Sequence, residues 1–140
     1  VLSAHRDLLR GRKSPTILTP HDGEFTRLFG PVAEDRMASA RAAALESRGS
    51  MLLKGHRTCV TDGIREYRNT TGNPGMAVGG SGDVLAGVLV SLLGQGLEPL
   101  EAAACAAWLH GKAGDLCAGE LGEYGMLPTD LLDFLPRLLK

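Results

Sequence analysis

Gly79-Gly80-Ser81-Gly82-Asp83 runs directly into an apolar pattern at helical spacing, Val84, Leu85, Val88, Leu89, Leu92 and Leu93. Glycines let a backbone turn tightly and approach a ligand with no Cβ in between. The first N–H groups of a helix lack intrahelical partners, and the helix dipole puts partial positive charge at that end. Backbone donors of Gly80, Ser81, Gly82 and Asp83 would therefore surround a phosphate oxygen or a developing oxyanion. Asp83 would stand beside that anion, where a carboxylate accepts the proton of a hydroxyl as it attacks phosphorus. The chemistry indicated is phosphoryl transfer, with Asp83 as the catalytic group and Gly80, Ser81 and Gly82 as the anion hole. A plainer role is open to the same residues, with Ser81 or Asp83 capping the helix and the glycines forming a tight loop. The run is neither GxGxxG nor GxxxxGK[ST], so a dinucleotide fold and a Walker loop are not indicated.

The wider run Gly72 to Val88, GNPGMAVGGSGDVLAGV, resembles the signature of the NAD(P)H-hydrate dehydratases. These are ribokinase-like enzymes that repair hydrated nicotinamide cofactors using ADP or ATP. Ser81 stands where most members have threonine and keeps the hydroxyl. Thr19-Pro20-His21-Asp22-Gly23-Glu24 is similar to the family's TPHPGE segment, with Asp22 in place of a proline. Lys54-Gly55-His56-Arg57-Thr58 is similar to its KGxxT segment, and Leu109 to Asp115, LHGKAGD, to its LHGxAGD helix. The four motifs occur in the family's order, and the similarity runs from about Thr16 to Leu138.

The resemblance implies a ribokinase-like layered α/β fold, of which this chain would be the C-terminal half. It implies nucleotide contacts from Lys54, Gly55, His56, Arg57, Thr58 and Gly82, although the pattern itself does not fix His56 and Arg57. It places His21 and Asp83 on the hydrated nicotinamide. ADP or ATP would be the co-substrate, with Mg2+ neutralising its charge and ADP favoured by analogy with prokaryotic members; no metal ligand is assigned. The implied reaction is phosphoryl transfer to the ring hydroxyl followed by loss of phosphate. Two alternatives stay open: a ribokinase-like kinase for a vitamin precursor or sugar, and a nucleotide-binding or oligomerising fragment with no turnover.

Residue chemistry supplies a second meaning for several of these positions. Lys54 offers a compact positive charge to phosphate, yet a Lys-Gly pair after a strand is often only a solvated strand end. His21 falls in a loop after a strand, where α/β folds place ligands, or it bonds backbone. Glu24 could bind magnesium through water or cap its own helix. His110 reads as a packed histidine, Trp108 as core, and Asn73 and Gly75 as walls of the nucleotide pocket.

The sequence has 140 residues, 44% hydrophobic and 22% charged, with fifteen Lys and Arg against sixteen Asp and Glu, a net charge of −1. That composition fits one soluble domain and gives no basic surface for nucleic acid or an acidic membrane. Cys59, Cys105 and Cys117 form no CxxC pair and read as small buried residues in a reducing, cytoplasmic setting. No apolar run approaches the roughly 18 residues needed to span a bilayer. The chain opens at Val1 in what reads as a helix already in progress, so the expectation is an N-terminally truncated domain. An incomplete sheet would expose an apolar edge and face, and self-association into a homo-oligomer is expected.

The elements that must hold these motifs follow from periodicity. An opening helix precedes a buried strand at Thr16 to Leu18 and helices from Gly23 to Phe29 and Ala33 to Ser47. In the latter, the pattern Glu34, Met37, Ala38, Arg41, Ala42 and Leu45 suggests an apolar packed stripe with the arginines outward. Met51 to Leu53 reads as a covered strand, and Thr58 to Thr61 and Glu66 to Asn69 as a hairpin around Asp62-Gly63. Gln95-Gly96 stops the helix after Asp83, and Pro99 opens a long alanine-rich helix to about Ala118. Pro128 to Leu139 forms a last helix, with Leu131, Leu132, Phe134 and Leu135 as core candidates. Strands and helices first, then three consecutive helices, give an α/β domain.

Overall fold

The computed structural model describes residues 5–139. The chain divides into two compact units, one running to Asn69 and taking in Pro99–Ala103, the other comprising Thr70–Glu98 and Ala104 onward.

The first unit is a mixed sheet with helices packed on it. Strands β1 (Ile17–Leu18), β2 (Ser50–Leu53), β3 (Cys59–Thr61) and β4 (Glu66–Arg68) lie in sequence order. The β1–β2 pair is parallel, and β2–β3 and β3–β4 are antiparallel. Every residue of β2 and β3 is buried, as continuous apolar strands covered on both faces require. Helix α1 (Asp7–Arg10) is one short turn, and Val1–Ala4 of the expected opening helix lie outside the described residues. Helix α2 (Asp22–Phe29) buries Phe25 and packs it against Phe29 one turn later, ring centroids 5.2 Å apart and the planes tilted by 46°.

Helix α3 (Arg36–Ser47) starts later than expected, because Asp35 is its cap and accepts from Ala38 N–H at 3.1 Å. Its buried face is Met37, Ala40, Ala43, Ala44 and Ser47, which corrects the expected stripe. Ala42 faces out and Leu45 is 59% exposed. Small alanines let the helix approach β2 and β3 closely, so the face of small side chains is packed and the larger Leu45 is left outside. The resulting core joins Phe25, Met37 and the α3 alanines to Met51, Leu53 and Cys59.

The second unit is helical. A 3₁₀ turn (Pro74–Met76) leads to helix α4 (Ser81–Gly94), which buries Ser81, Leu85, Leu89 and Leu92 on one face. Helix α5 (Pro99–Leu121) has Pro99 in its first turn and runs three residues beyond the expected end. Its buried face here includes Ala106, Ala107, Ala113 and Cys117. A second 3₁₀ turn (Pro128–Asp130) opens helix α6 (Leu131–Leu138), which buries Leu131, Phe134 and Leu135. Leu132 and Trp108 depart from expectation, being 54% and 40% exposed. Each sits on a helix about one step of 100° away from buried neighbours, and hydropathy alone assigned them inward. The three cysteines are free thiols, and burial pushes those of Cys59 and Cys117 up.

Candidate active site

The motifs of the first unit converge on the start of α2 and the end of β2. His21 is the N-cap of α2: its Nδ1 accepts from the N–H groups of Gly23 (3.0 Å) and Glu24 (3.3 Å). Glu24 reciprocates by accepting from His21 N–H at 2.9 Å, a complete capping box. With Nδ1 used as an acceptor, the neutral ring carries its proton on Nε2. The Glu24 carboxyl is held below its usual range chiefly by the His21 N–H, with Lys54 adding to the effect and partial burial opposing it. Of the two roles open to Glu24 in the sequence, capping its own helix is therefore filled. Lys54 Nζ lies 3.5 Å from Glu24 Oε2, so its charge is shared with that carboxylate.

Asp22, the residue that departs from the family's proline, has its own task. Both its oxygens accept from Arg36 Nη1 at 2.7 Å, and Arg36 Nη2 donates to the Lys54 carbonyl at 2.9 Å. An ion pair thereby ties the Pro20–Glu24 turn to the Lys54–Thr58 loop where a proline would have stiffened only the turn. Lys54 N–H donates to Pro20 O at 2.8 Å, a second tie between the same segments. Thr58 closes its own loop by donating to Gly55 O at 3.1 Å. At the tip, His56 and Arg57 are exposed and make no side-chain hydrogen bond or ion pair among the described residues.

In the second unit Gly80 is the N-cap of α4 at φ +96°, a conformation costly for any residue with a Cβ. No side chain caps this helix, so neither Ser81 nor Asp83 takes the capping role. Ser81 N–H donates to Val78 O at 3.3 Å and Asp83 N–H to Gly80 O at 3.0 Å. The N–H groups of Gly80 and Gly82 have no acceptor among the described residues. The Asp83 carboxylate is exposed and has no hydrogen bond or ion pair among the described residues. The Ser81 hydroxyl is buried and points the other way, 3.3 Å from His110 Nε2 on α5.

The α5 motif holds this loop. Thr71 Oγ1 donates to Trp108 O at 3.0 Å, and Asp115 accepts from Gly72 N–H at 3.0 Å and Asn73 Nδ2 at 3.2 Å. A Cβ on Gly111 would stand 2.2 Å from Thr71 Oγ1, and one on Gly114 2.2 Å from Met76 Sδ. Asn73 Oδ1 accepts from Gly75 N–H at 3.1 Å, capping the 3₁₀ turn. Sequence reasoning gave no part to Arg36, which lies fourteen and eighteen residues along the chain from the partners it joins. It also missed Asp115, though His110, Gly111, Gly114 and Asp115 fall at helical spacing on one face, a signal of close packing around polar groups.

His110 is buried, and burial holds its imidazole below the ordinary value near 6.5, against a raising contribution from Ser81. A depressed folded pKa means full stability above the unfolded value, lost as pH falls below it and through the folded pKa. Below about pH 6.5 the unfolded chain takes up a proton that the folded chain refuses, with a slope of up to about 1.4 kcal/mol per pH unit. Urea unfolding of wild type and His110→Gln at pH 7.5 and 5.5 checks this. The wild type loses more stability than the variant on acidification; an equal loss in both would show that His110 does not stay neutral.

The sheet, the helices on it and the glycine turn at the head of a long helix form a ribokinase-like α/β architecture. The model of the NAD(P)H-hydrate dehydratase family matches residues 1–137, and the chain belongs to that family. It is 49% identical to the bifunctional NAD(P)H-hydrate repair enzyme of Moorella thermoacetica, over 99% of this chain and 27% of that protein. It is 45% identical to the ADP-dependent (S)-NAD(P)H-hydrate dehydratase of Neisseria meningitidis serogroup B, over 84% of this chain and 41% of that protein. Among solved structures it superimposes on the ADP/ATP-dependent NAD(P)H-hydrate dehydratase of Bacillus subtilis, co-crystallised with ATP/Mg2+, with TM-score 0.86 and 34% identity. That match covers 91% of this chain and 48% of the other. The chain thus spans between about a quarter and a half of the length of these relatives. No helix among the described residues is long and apolar enough to cross a membrane.

Proposed function

We propose that the protein carrying this chain converts hydrated NAD(P)H back to NAD(P)H with consumption of ADP or ATP. The observation that carries the reading is the Asp83 carboxylate, exposed and unpaired among the described residues, one residue beyond the free N–H of Gly82 at the head of α4. The names of the Moorella and Neisseria relatives and the ATP/Mg2+ in the Bacillus structure support it. This chain would be the C-terminal, ribokinase-like portion of a cytoplasmic, homo-oligomeric enzyme.

Asp83 accepts the proton of the ring hydroxyl as that oxygen attacks the terminal phosphorus of the nucleotide. The new O–P bond replaces the bond to the bridging oxygen, and the nucleotide leaves one phosphate shorter. The Gly80 and Gly82 N–H groups hold the transferring group, with Ser81 setting their turn. The ring C–O bond then breaks, phosphate departs, and loss of a proton from the adjacent carbon restores the double bond. Phosphate leaves far more readily than hydroxide, which is what the nucleotide contributes.

Mg2+ would neutralise nucleotide charge. Such an ion is usually held through phosphates and waters with one or two carboxylates, so the nucleotide itself would supply much of its coordination. Lys54, Gly55, His56, Arg57 and Thr58 form the nucleotide loop, and His21 meets the nicotinamide. Arg57 has the free guanidinium of that loop, so Arg57→Ala raises the nucleotide KM about tenfold with kcat within about threefold, the weight of one charge-assisted contact.

The deciding experiment is recovery of NADH absorbance from hydrated NADH by the full-length gene product, with ADP, with ATP and with neither, in the presence of Mg2+. Nucleotide-dependent recovery supports the reading. Phosphorylation of a vitamin precursor or sugar with no recovery of NADH would replace it with a kinase.

A further inference from the structure

We propose that Asp115 is a positioning residue, which with Asn73 clamps the segment leading into the Gly79–Asp83 turn; the inference rests on the function proposed above. Helix α5 holds this segment by polar side chains near both of its ends. Near its beginning both oxygens of Asp115 are engaged, by Gly72 N–H at 3.0 Å and by Asn73 Nδ2 at 3.2 Å. At its end the Ser81 hydroxyl meets His110 Nε2 at 3.3 Å. His110 and Asp115 are five residues apart, about 7.5 Å along the helix axis, so one rigid rod sets both anchors.

The chain between the anchors has little freedom. Asn73 Oδ1 receives Gly75 N–H, Met76 N–H donates to Asn73 O at 3.2 Å, and Ala77 N–H to Pro74 O at 3.0 Å. Ser81 N–H then donates to Val78 O at 3.3 Å. A succession of tight turns transmits the placement of Asn73 to Gly80 and Gly82, whose N–H groups must meet the transferring phosphate. Displacements of about 1 Å at such a site cost on the order of a hundredfold in rate.

The clamp has a polarity that makes it testable. Asn73 gives one N–H to Asp115 and accepts one from Gly75, while Asp115 only accepts. In Asp115→Asn, whichever way the two amides turn, one donor faces another donor. In Asn73→Asp, two carboxylates face each other across the same 3.2 Å gap. Exchanging the two restores every partner: Asn at 115 accepts from Gly72 and donates to Asp at 73, which accepts from Gly75.

Both single variants and the double exchange are made in the full-length gene product and read by amide hydrogen exchange over residues 72–83 and by kcat. Each single variant speeds exchange in that segment about tenfold or more and lowers kcat by a similar factor, the weight of a charged hydrogen bond. The double variant returns both readouts to within about threefold of wild type, a strong coupling of adjacent sites. Wild-type exchange in the single variants, or a double variant as impaired as the worse single, overturns the proposal. Single variants that lower the unfolding midpoint while the folded enzyme keeps its kcat overturn it as well. If wild type itself does not turn over hydrated NADH, the dehydratase reading has failed separately, and the exchange measurement still decides the clamp.

Discussion

Asp83→Asn leaves a folded, nucleotide-binding protein whose turnover of hydrated NADH is lower by about a thousandfold. Asparagine has the shape of aspartate and can still accept a hydrogen bond, but it cannot take the proton of the attacking hydroxyl. A thousandfold loss corresponds to about 4 kcal/mol of barrier, within the span attributed to one general base. The competing explanation is structural: Asp83 lies in the first turn of α4, where a negative charge favours the dipole. That interaction is worth about 0.3–1 kcal/mol, so losing it shifts the unfolding midpoint slightly and leaves the chemistry alone. The two accounts differ by orders of magnitude in kcat and hardly at all in stability. Comparing kcat, nucleotide affinity and urea unfolding of the two proteins separates them. Turnover within tenfold of wild type would reduce Asp83 to a helix-dipole residue.

The parts of this site legible in the sequence are those made by contiguous residues. Gly80 to Asp83 could be read as a turn feeding a helix because glycine freedom, orphan N–H groups and the following apolar period are all local. The cap at His21 and Glu24 was legible only in part: both partners lie within one turn, but capping was one of two roles open to Glu24, and His21 as the N-cap was not singled out. Arg36 was not, because its role depends on reaching Asp22 and the Lys54 carbonyl, fourteen and eighteen residues away. The α3 stripe failed for a different reason. Hydropathy favoured Leu45, whereas packing against β2 and β3 favoured Ala40, Ala43 and Ala44, which carry little hydropathy and admit a close approach. Trp108 and Leu132 repeat that lesson, since bulk and apolar character do not by themselves say which way a helical residue faces. Asp115 lies between these cases: its helical spacing to His110, Gly111 and Gly114 was visible, but the loop that it clamps was not.

Gly111→Ala destabilises the protein by about 2 kcal/mol, although alanine is the better helix former. In an open helix interior the change from glycine to alanine stabilises by up to about 1 kcal/mol. At Gly111 the added methyl would lie 2.2 Å from Thr71 Oγ1 and 2.7 Å from the Thr71 carbonyl carbon. Turning the threonine side chain relieves the first contact and sacrifices its bond to Trp108 O, at about 1 kcal/mol. The second contact is with backbone, so the segment entering the 3₁₀ turn must move, and overpacking of this kind costs about 1–3 kcal/mol. The two costs together exceed the propensity gain. Gly119 is the matched control, on the same helix, exposed and with nothing within 4 Å of the point where an alanine methyl would stand. Urea unfolding therefore gives opposite signs, Gly119→Ala neutral to stabilising and Gly111→Ala destabilising. Because the displaced segment is the one that carries Gly80 and Gly82, Gly111→Ala also lowers kcat at temperatures where it is fully folded. Stabilisation by both substitutions would mean that Thr71 does not rest against α5, and the close approach behind the LHGxAGD pattern would have to be abandoned.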